Sequence, residues 1–407
     1  MPLENKNRVT CTGCSMLCDD IAVGVQLGTV QAVYNACLRG SKKFLLTSNS
    51  QLVKAPLIGG RGTSFDDALA EAARILKSAK RIVIAGGTHA TNDAIRALIK
   101  LAVKLGAKLA IPEFDIHARL TGAVKKNGID FFTLGEVINN ADLVVFWGAN
   151  PVDLAPKLLG RAAFSRGRYR QSGKEVKKLV VIDDFPSPTM ERADIKILVD
   201  DQDYAGILES LFSTLSGQNA SEPATSDLTN ALENCEYCTF FVGEGILNKQ
   251  FLRGHPAFLD NFLRLVRSIN DKRRVAVLPL FYSWNAAGLM HELACTGEKI
   301  DCFDIEDLPS RIGNGDAILA FGFDIVSRCA GSAASSKDGV PLIAVDFKRT
   351  PTTDVARVVL PPSIPGIESG GTATRLDGIT LLLHPPLQQP DGKKTDEDIL
   401  NELHERT

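Results

Sequence analysis

Four cysteines lie within the first tenth of the chain, and their spacing constrains what this segment can fold around. Cys11, Cys14 and Cys18 form one close group, and Cys37 follows after a gap of 18 residues. Three closely spaced thiolates can ligate one face of a 4Fe-4S cluster while a fourth arrives from a distant segment. Zinc also accepts four cysteines, usually as two C-x2-C pairs. The spacing favours the cluster, with zinc or a site that has lost its metal as the alternatives.

The composition limits the compartment and the partners. An odd number of cysteines, nine in 407 residues, argues against a disulfide framework and predicts a reducing, cytoplasmic location. The chain shows no apolar leader and no run of the ~18 apolar residues that a membrane span needs. A net charge of -2 gives no large basic field for nucleic acid. We therefore expect neither a membrane nor a nucleic acid as partner, and a chain of two or three domains.

Short apolar runs recur after the cysteine segment, and most of them end at Gly or Asp. They are too apolar to face water, and the segments between them are mostly long enough for crossover helices, including a helix predicted over Thr91–Leu105. This pattern predicts a doubly wound α/β fold with more than one parallel sheet, in which ligands lie beyond the carboxyl ends of the strands. The runs are Arg81–Ala85, Leu143–Trp147, Leu179–Ile182, Phe240–Val242, Val275–Leu278, Ala317–Phe321 and Leu342–Val345.

Three of these strand ends share a longer pattern. Asn150 follows the second run, Asp183 is followed by Thr189, and Asp346 follows the last run. Their order, behind a cysteine segment that ends in Cys-Leu-Arg-Gly, resembles the molybdenum and tungsten bis-pterin oxidoreductases of the dimethyl sulfoxide reductase superfamily. The resemblance implies a small N-terminal iron-sulfur lobe followed by Rossmann-like parallel-sheet domains, with Arg39 between the cluster and the pterin.

The segment Glu368–Gly378 narrows the resemblance. It is similar to a signature of the B subunit of formylmethanofuran dehydrogenase, where the wider superfamily usually has Asn in place of Arg375. The resemblance implies an iron-sulfur lobe over 1–57, a split α/β domain over 58–113 and 310–384, an inserted α/β domain over 114–309 and a tail over 385–407. We expect the β-barrel cap of larger relatives to be missing here and supplied by a separate polypeptide. The implied cofactor-binding residues are Arg39, Asn150, Asp183, Thr189, Asp346, Glu368, Gly371, Thr372 and Arg375.

The chain departs from this family at the metal-pterin site. Ile116 stands where the family has a metal-binding cysteine or selenocysteine, which leaves His117 as the one candidate catalytic residue. Asp183-Asp184-Phe185 replaces Asp-Pro-Arg, and an acidic loop over 200–203 replaces a Pro-Gly turn, so negative charge replaces a phosphate-binding guanidinium. We therefore expect a bound bis-molybdopterin guanine dinucleotide with tungsten or molybdenum to be absent or inert.

These departures favour a bacterial type of complex within the family. The resemblance then implies a scaffold protein in one-carbon metabolism, in which a formyl group passes from tetrahydromethanopterin to a methanofuran-type carrier and is released as formate. The implied partners are a zinc hydrolase, a formyltransferase and a β-rich cap protein. Two alternatives stay open: an active tungsten or molybdenum enzyme that uses the cluster of Cys11, Cys14, Cys18 and Cys37 as an electron conduit, and an unrelated nucleotide-binding α/β protein with a structural zinc lobe.

Overall fold

The structure is a computed structural model that describes residues 4–48, 51–127, 129, 132–169, 176–200, 203–215, 223–247, 249–329 and 340–407. Its strands are β1 Glu4–Val9, β2 Ile21–Gln26, β3 Thr29–Tyr34, β4 Leu57–Ile58, β5 Arg61–Gly62, β6 Ile82–Gly86, β7 Lys108–Ile111, β8 Leu143–Trp147, β9 Lys178–Asp183, β10 Ile195–Leu198, β11 Tyr237–Val242, β12 Arg274–Pro279, β13 Cys302–Asp304, β14 Ala317–Phe321, β15 Leu342–Val345, β16 Val358–Leu360, β17 Gly371–Thr374 and β18 Thr380–Leu383.

The helices alternate with these strands. They are α1 Leu38–Phe44, α2 Phe65–Ser78, α3 Asn92–Leu105, α4 Phe114–Asn127, α5 Leu134–Asn140, α6 Pro151–Leu154, α7 Pro156–Leu159, α8 Pro188–Glu191, α9 Tyr204–Leu215, α10 Pro223–Asn234, α11 Glu244–Leu247, α12 Lys249–Gly254, α13 Phe258–Asn270, α14 Ala286–Cys295, α15 Leu308–Arg311, α16 Ile325–Arg328, α17 Pro351–Val355 and α18 Asp396–Arg406. A π-helical turn covers Gly160–Phe164, and 3-10 turns cover Leu45–Ser48 and Ile305–Asp307.

The helix α3 shows how the local sequence sets an element's limits. Thr91 caps its N-terminus, because the threonine side chain accepts a hydrogen bond from the backbone N–H of Ala94. Gly106 ends it with φ 59°, a left-handed conformation that glycine adopts without steric cost. The strand before this helix, β6, is buried along its whole length. The segment therefore folds as the strand–helix unit that the apolar periodicity predicts.

The first of two compact units comprises Met1–Asp115, Ser283–Arg375 and Thr380–Thr407. Its main sheet has the order β13-β7-β6-β14-β15-β16-β4-β5, in which the strands from β13 to β16 are parallel and the last two pair antiparallel. The strands β7 and β14 flank β6 on opposite sides. The order of strands thus changes direction at β6, which is the kind of position where open α/β sheets bind ligands.

The N-terminal segment of this unit forms an antiparallel sheet of its own, β1-β2-β3. A small apolar cluster joins it to later parts of the unit, since Leu17 packs with Trp284, Ala373 and Leu383. The hydroxyl of Thr12 also donates to the carbonyl of Pro365, at 3.1 Å. The cysteine segment is therefore anchored on the same unit as the Glu368–Gly371 part of the signature.

The second unit comprises Ile116–Tyr282 and Leu376–Ile379. Its sheet has five parallel strands in the order β10-β9-β8-β11-β12. Aromatic side chains fill much of its core, where Trp147 meets the rings of Phe258 and Phe262 edge to face. The carboxyl ends of β8, β9 and β11 lie side by side at one edge.

The prediction of an α/β fold with more than one parallel sheet is confirmed. The domain limits implied by the resemblance stay predictions, as do the iron-sulfur content of the N-terminal segment and the missing cap. Among the described residues, no helix combines the length and the apolar character that a membrane span requires.

Candidate functional site

The four N-terminal cysteines lie in one region of the first unit. Cys11, Cys14 and Cys18 are buried, and Cys37 is half-buried at the N-terminal cap of α1. The Cys11 N–H donates to the Cys18 carbonyl at 2.8 Å, and a Cβ on Gly40 would lie 3.0 Å from the Cys11 sulfur and 3.9 Å from that of Cys37, so these three cysteines lie together. Burial raises the pKa of Cys11 to about 12 and that of Cys14 to about 11. Without a cation to stabilise the thiolates, these buried groups are therefore held as thiols.

Backbone groups surround these sulfurs closely. Backbone N–H groups donate to the sulfurs of Cys11 and Cys14, and that of Gly40 donates to Cys37 at 3.5 Å. A Cβ on Gly13 would lie 3.2 Å from the Cys11 sulfur, and a Cβ on Gly40 would lie 3.0 Å from it. Such N–H donors stabilise ligated thiolates, and the two glycines leave room that a side chain would occupy. The donor set fits a group that takes four thiolates.

The described side chains are not arranged to hold a single metal ion. In the described part of the chain, no three His, Cys, Asp or Glu side chains are arranged to hold one ion. In a 4Fe-4S cluster each thiolate binds a different iron, so the sulfurs need not converge on one point. Arg39, predicted to lie beside the cluster, is close enough to Cys14 to oppose the rise of its pKa.

In the second unit, the structure brings two predicted residues into contact. The hydroxyl of Thr189 donates to the Oδ1 of Asn150 at 2.6 Å, and both side chains are buried. Asn150 lies after β8 and caps α6, since its Oδ1 also accepts the N–H of Val152 at 3.3 Å. Its Nδ2 donates to Asp153. These hydrogen bonds hold the Asn150 and Thr189 side chains in place, so this edge of the sheet is ordered before any ligand binds.

Asp183 ends the neighbouring strand β9 and is 2% exposed. Its Oδ1 accepts the N–H of Asp184 at 3.1 Å and the hydroxyl of Tyr204 at 3.3 Å. Its Oδ2 has no hydrogen-bond partner among the described residues. Burial raises the pKa of Asp183 to about 6. A buried carboxylate oxygen without a donor marks a place where a ligand's N–H or O–H group would fit.

Close backbone contacts shape the same edge. A Cβ on Gly245 would lie 2.6 Å from the Cα of Gly148 and 2.9 Å from the hydroxyl of Tyr204. The glycines after β8 and β11 are therefore required by packing between the strand ends, and Tyr204 belongs to the site although no sequence motif pointed to it. Asp201 and Gln202, of the predicted acidic loop, lie outside the described residues. Phe185, which replaces the expected arginine, is 45% exposed and carries no charge.

In the first unit, the first part of the signature, from Glu368 to Gly371, lines a cavity, whereas Thr372 and Arg375 are not among its walls. Its volume is about 450 Å³, and its walls include Asp93, Glu368, Gly371 and Asp396. Glu368 forms an ion pair with Lys393 at 2.9 Å. The backbone N–H of Thr372 donates to Asp93 at 3.1 Å, and Gly371 has φ 119°. The cavity therefore carries several carboxylates that are already engaged with this chain. Arg375 is half-buried and ends the Ser283–Arg375 segment of the unit.

A buried network of amide side chains forms hydrogen bonds with Thr374 of the signature. Asn285 Nδ2 donates to Asn92 Oδ1 at 2.9 Å, and Asn285 Oδ1 accepts the N–H of Thr374 at 2.8 Å. Asn92 Nδ2 donates to the Thr374 hydroxyl at 3.1 Å. A Cβ on Gly288 would lie 2.2 Å from Asn285 Oδ1, so the network requires glycine at that position. No sequence motif predicted this network, because its members are far apart along the chain.

Asp346 and His117 occupy buried positions in different units. Asp346 follows β15, accepts the N–H of Lys348 at 2.8 Å, and has its pKa raised to about 6 by burial. His117 lies in α4 with its ring centroid 3.6 Å from that of Phe281. Burial lowers the pKa of His117 to about 3, so the imidazole is neutral near pH 7, and its Nε2 has no partner among the described residues. The side chain of Ile116 lies outside the described part.

The chain thus combines two units, each with a parallel sheet, and a cysteine-bearing segment. Residues 61–406 match the family described as molybdopterin oxidoreductase, so the chain belongs to the molybdopterin oxidoreductase family.

Within this family, the chain is similar to the B subunits of two complexes. The B subunit of the tungsten-containing formylmethanofuran dehydrogenase 2 of Methanocaldococcus jannaschii is 27% identical over 97% of both chains. The B subunit of the formyltransferase/hydrolase complex Fhc of Methylorubrum extorquens is 30% identical over 54% of this chain and 58% of that relative. The resemblance to the B subunit of formylmethanofuran dehydrogenase and to its Fhc counterpart is thereby confirmed.

A solved structure agrees on the fold. The formyltransferase/hydrolase complex FhcABCD of Methylorubrum extorquens, determined with methylofuran, contains a chain that matches with a TM-score of 0.68 at 20% identity. The match covers 86% of this chain and 98% of that one. At this identity the likeness establishes a shared fold alone.

Proposed function

We propose that this chain is the B subunit of a formylmethanofuran dehydrogenase-type complex of one-carbon metabolism, in which a formyl group on a methanofuran-type carrier is released as formate. The similarity to such a B subunit over 97% of both chains supports this assignment. Within the complex the chain carries a 4Fe-4S cluster and serves as a scaffold. Its metal-pterin site is degenerate, and the bond-breaking chemistry belongs to a zinc hydrolase partner.

The observation that carries the proposal is the contrast between the cysteine quartet and Ile116. The quartet has buried sulfurs, backbone N–H donors and two close glycines, which fit a cluster. Ile116 has a branched alkyl side chain, which has no atom that can ligate tungsten or molybdenum. The residues present therefore fit the cluster and do not fit the catalytic metal, and no reaction step is assigned to that metal.

The carboxyl ends of the strands in the second unit also argue against a tightly bound metal-pterin. Asp183 and Asp184 put adjacent carboxyl groups at the end of β9, where a diphosphate would bring further negative charge. Phe185 offers no guanidinium to offset it. The unpartnered Oδ2 of Asp183 would suit a neutral or cationic donor. Tight binding of a diphosphate at this edge is therefore disfavoured.

A 4Fe-4S cluster supplies one-electron transfer when it is bound. The chain's own contribution is to hold four thiolates, to donate N–H groups to their sulfurs and to place Arg39 beside them. Because burial holds the empty thiols protonated, ligation must release protons, and binding of the cluster stabilises the fold of the N-terminal segment.

A second candidate function is that of an active tungsten or molybdenum enzyme. The intact cysteine quartet favours it, because a scaffold has no evident need for an electron conduit. The full-length similarity to a tungsten-containing relative favours it as well. In that case another residue would have to replace the missing cysteine as metal ligand.

Metal and pterin analysis of the anaerobically purified protein separates these functions. We expect about four irons per chain with neither tungsten nor molybdenum. Stoichiometric tungsten or molybdenum with pterin would instead support the active enzyme, and zinc without iron would support a structural zinc lobe.

Co-purification tests the assembly. Affinity capture from native extract should recover a zinc hydrolase, a formyltransferase and a β-rich cap protein. A preparation that contains none of these, at a chain concentration where the complex should form, would contradict the scaffold role.

A further inference from the structure

One segment of the second unit, between the π-helical turn and β9, presents both apolar and basic side chains to solvent. Three of its large apolar side chains are exposed, by between 37% and 65%. Three of its cationic side chains are exposed as well. Exposed apolar side chains with a polar rim mark interaction sites, and Tyr, Phe and Arg are enriched at protein interfaces. We call these six residues the basic-aromatic surface: Phe164, Arg166, Arg168, Tyr169, Val176 and Lys178.

Backbone contacts hold the turn that carries this surface in a fixed shape. A Cβ on Gly167 would lie 2.1 Å from the carbonyl oxygen of Ile138, so the backbone passes against α5 at a point where only glycine fits. The N–H of Arg168 donates to Asn139 Oδ1 at 2.8 Å, and the N–H of Tyr169 donates to the Asn139 carbonyl at 3.2 Å. The exposed side chains therefore leave an ordered backbone.

A buried lysine ties the two ends of the segment together. Lys177 is 1% exposed, and its Nζ donates to the carbonyls of Ile138 at 2.8 Å and of Ala162 at 3.2 Å. Both ends of the segment thus converge on Ile138, the same residue that Gly167 approaches. A surface that is ordered before binding loses less conformational entropy when a partner binds to it.

The basic-aromatic surface lies at the amino edge of the five-stranded sheet. The N–H of Lys178, the first residue of β9, donates to the carbonyl of Asp142, which precedes β8. Asn139 belongs to α5, which ends just before the same strand. Asn150 and Asp183 lie at the carboxyl ends of these strands. The surface is therefore separate from the edge that carries the predicted cofactor-binding residues.

The positive charge of this surface is not balanced by the described part of the chain. Neither Arg166 nor Arg168 forms an ion pair with a described carboxylate, and the same holds for Lys178. The guanidinium carbon of Arg168 instead lies 5.8 Å from the centroid of the Tyr169 ring. This pair offers a charge for a carboxylate and an apolar face side by side. Because the net charge of the chain is -2, the surface is a local positive patch and not part of a broad basic field for nucleic acid.

We propose that the basic-aromatic surface binds an acidic segment of another protein, one that carries glutamate or aspartate side chains next to apolar ones. Each arginine can hold a carboxylate through two parallel N–H groups, and the rings of Phe164 and Tyr169 can cover an apolar side chain between the charges. The proposal rests on the proposed function in one respect, namely that this chain works inside an assembly and needs surfaces for its partners.

The test uses the purified full-length chain and the fluorescence anisotropy of labelled probes. The probes are a peptide of glutamate and tyrosine, a peptide of lysine and tyrosine of the same length, and a strand of poly(U). We expect saturable binding of the acidic peptide, weakened by added sodium chloride, and no binding of the basic peptide. Arg166→Gln combined with Arg168→Gln should weaken binding of the acidic peptide by about tenfold.

A matched double variant is the control for net charge. Arg264→Gln combined with Arg267→Gln removes the same charge from two exposed positions on α13 and should leave the affinity unchanged. Tyr169→Ala separates the aromatic contribution from the charge. It should weaken binding of the glutamate–tyrosine peptide by about threefold and leave binding of a glutamate–serine peptide unchanged.

Three results would overturn the proposal: no binding of the acidic peptide by the unmodified chain, equal weakening in the two double variants, or tighter binding of poly(U) than of the acidic peptide. The last result would assign the surface to a nucleic acid. A complex that releases no formate would contradict the proposed function and leave the peptide result intact. Absence of peptide binding would likewise leave the formate measurement intact, so the two failures are distinguishable.

Discussion

Gly40 lies against Cys11 so closely that a Cβ on the glycine would be 3.0 Å from the cysteine sulfur. Gly40 belongs to α1, which begins after Cys37, whereas Cys11 precedes β2. The contact thus fixes the helix carrying the fourth cysteine against the segment carrying the first three. A helix without a side chain at this position lets Cys37 lie beside Cys11.

Gly40→Ala should therefore disturb the cysteine site. The added methyl group must displace the Cys11 sulfur or the helix, and overpacking of this kind costs about 1–3 kcal/mol. We expect lower iron content and a lower thermal midpoint. Gly160→Ala is the matched control, since a Cβ there meets nothing within 4 Å, and it should change neither quantity. Full iron content in Gly40→Ala would show that the contact does not limit the site.

Cys14→Ser tests the cluster itself. Serine keeps the size of the side chain and removes the soft sulfur ligand, so the brown chromophore should be lost or strongly weakened. Iron analysis and visible absorption after anaerobic purification measure the effect. Cys295→Ser, at an exposed cysteine in α14, should retain the chromophore. An unchanged iron content in Cys14→Ser would refute the assignment of this ligand.

Asn285→Ala tests the amide network beneath the signature. The variant leaves the Thr374 N–H and the Asn92 Oδ1 without the Asn285 groups that they bond in a buried site. Each unsatisfied buried group costs about 1–3 kcal/mol, so the free energy of unfolding should fall by at least that amount. Denaturant titration gives the value. Asn230→Ala, at an exposed position in α10, serves as the control and should lie within about 0.5 kcal/mol of the unmodified protein.

The buried, neutral His117 should make the folded state less stable in acid. Its pKa is lowered by burial to about 3 in the folded state, against about 6.5 in the unfolded chain. The unfolded state therefore binds the proton first, and stability that is complete above pH 6.5 falls as the pH drops towards 3. Between these two pKa values the free energy of unfolding falls by about 1.4 kcal/mol for each pH unit of acidification.

His117→Phe should remove this part of the pH dependence while keeping an aromatic ring against Phe281. Unfolding titrations between pH 7 and pH 5 measure the difference. A parallel variant of exposed His291 should behave like the unmodified protein. Identical slopes for His117→Phe and the unmodified chain would show that the imidazole is not held neutral by the fold.

The strand pattern could be predicted closely because buried parallel strands leave a strong local signal. The runs Leu143–Trp147, Ala317–Phe321 and Leu342–Val345 coincide with β8, β14 and β15. The helix predicted from Thr91 begins one residue later, with Thr91 as its cap. In each case a dense apolar run and a Gly, Asp or Thr at its border set the limits.

Side-chain networks could not be predicted in this way. Asn285 and Asn92 are 193 residues apart, and the Tyr204 hydroxyl reaches Asp183 from a different element. No periodicity links such residues, because their contact depends on how strands and helices pack. The short antiparallel strands β4 and β5 were missed for a related reason, since two-residue strands carry no recognisable pattern.

The fate of the formyl group distinguishes a scaffold from an active metal-pterin enzyme most directly. Formylmethanofuran, or the cognate formylated carrier, is incubated anaerobically with the complex captured through this chain, with and without an artificial electron acceptor. We predict release of formate at the same rate in both cases and no reduction of the acceptor. Reduction of the acceptor with loss of the formyl carbon as CO2, by protein that contains tungsten or molybdenum, would show that the metal-pterin site is active and would contradict the scaffold role.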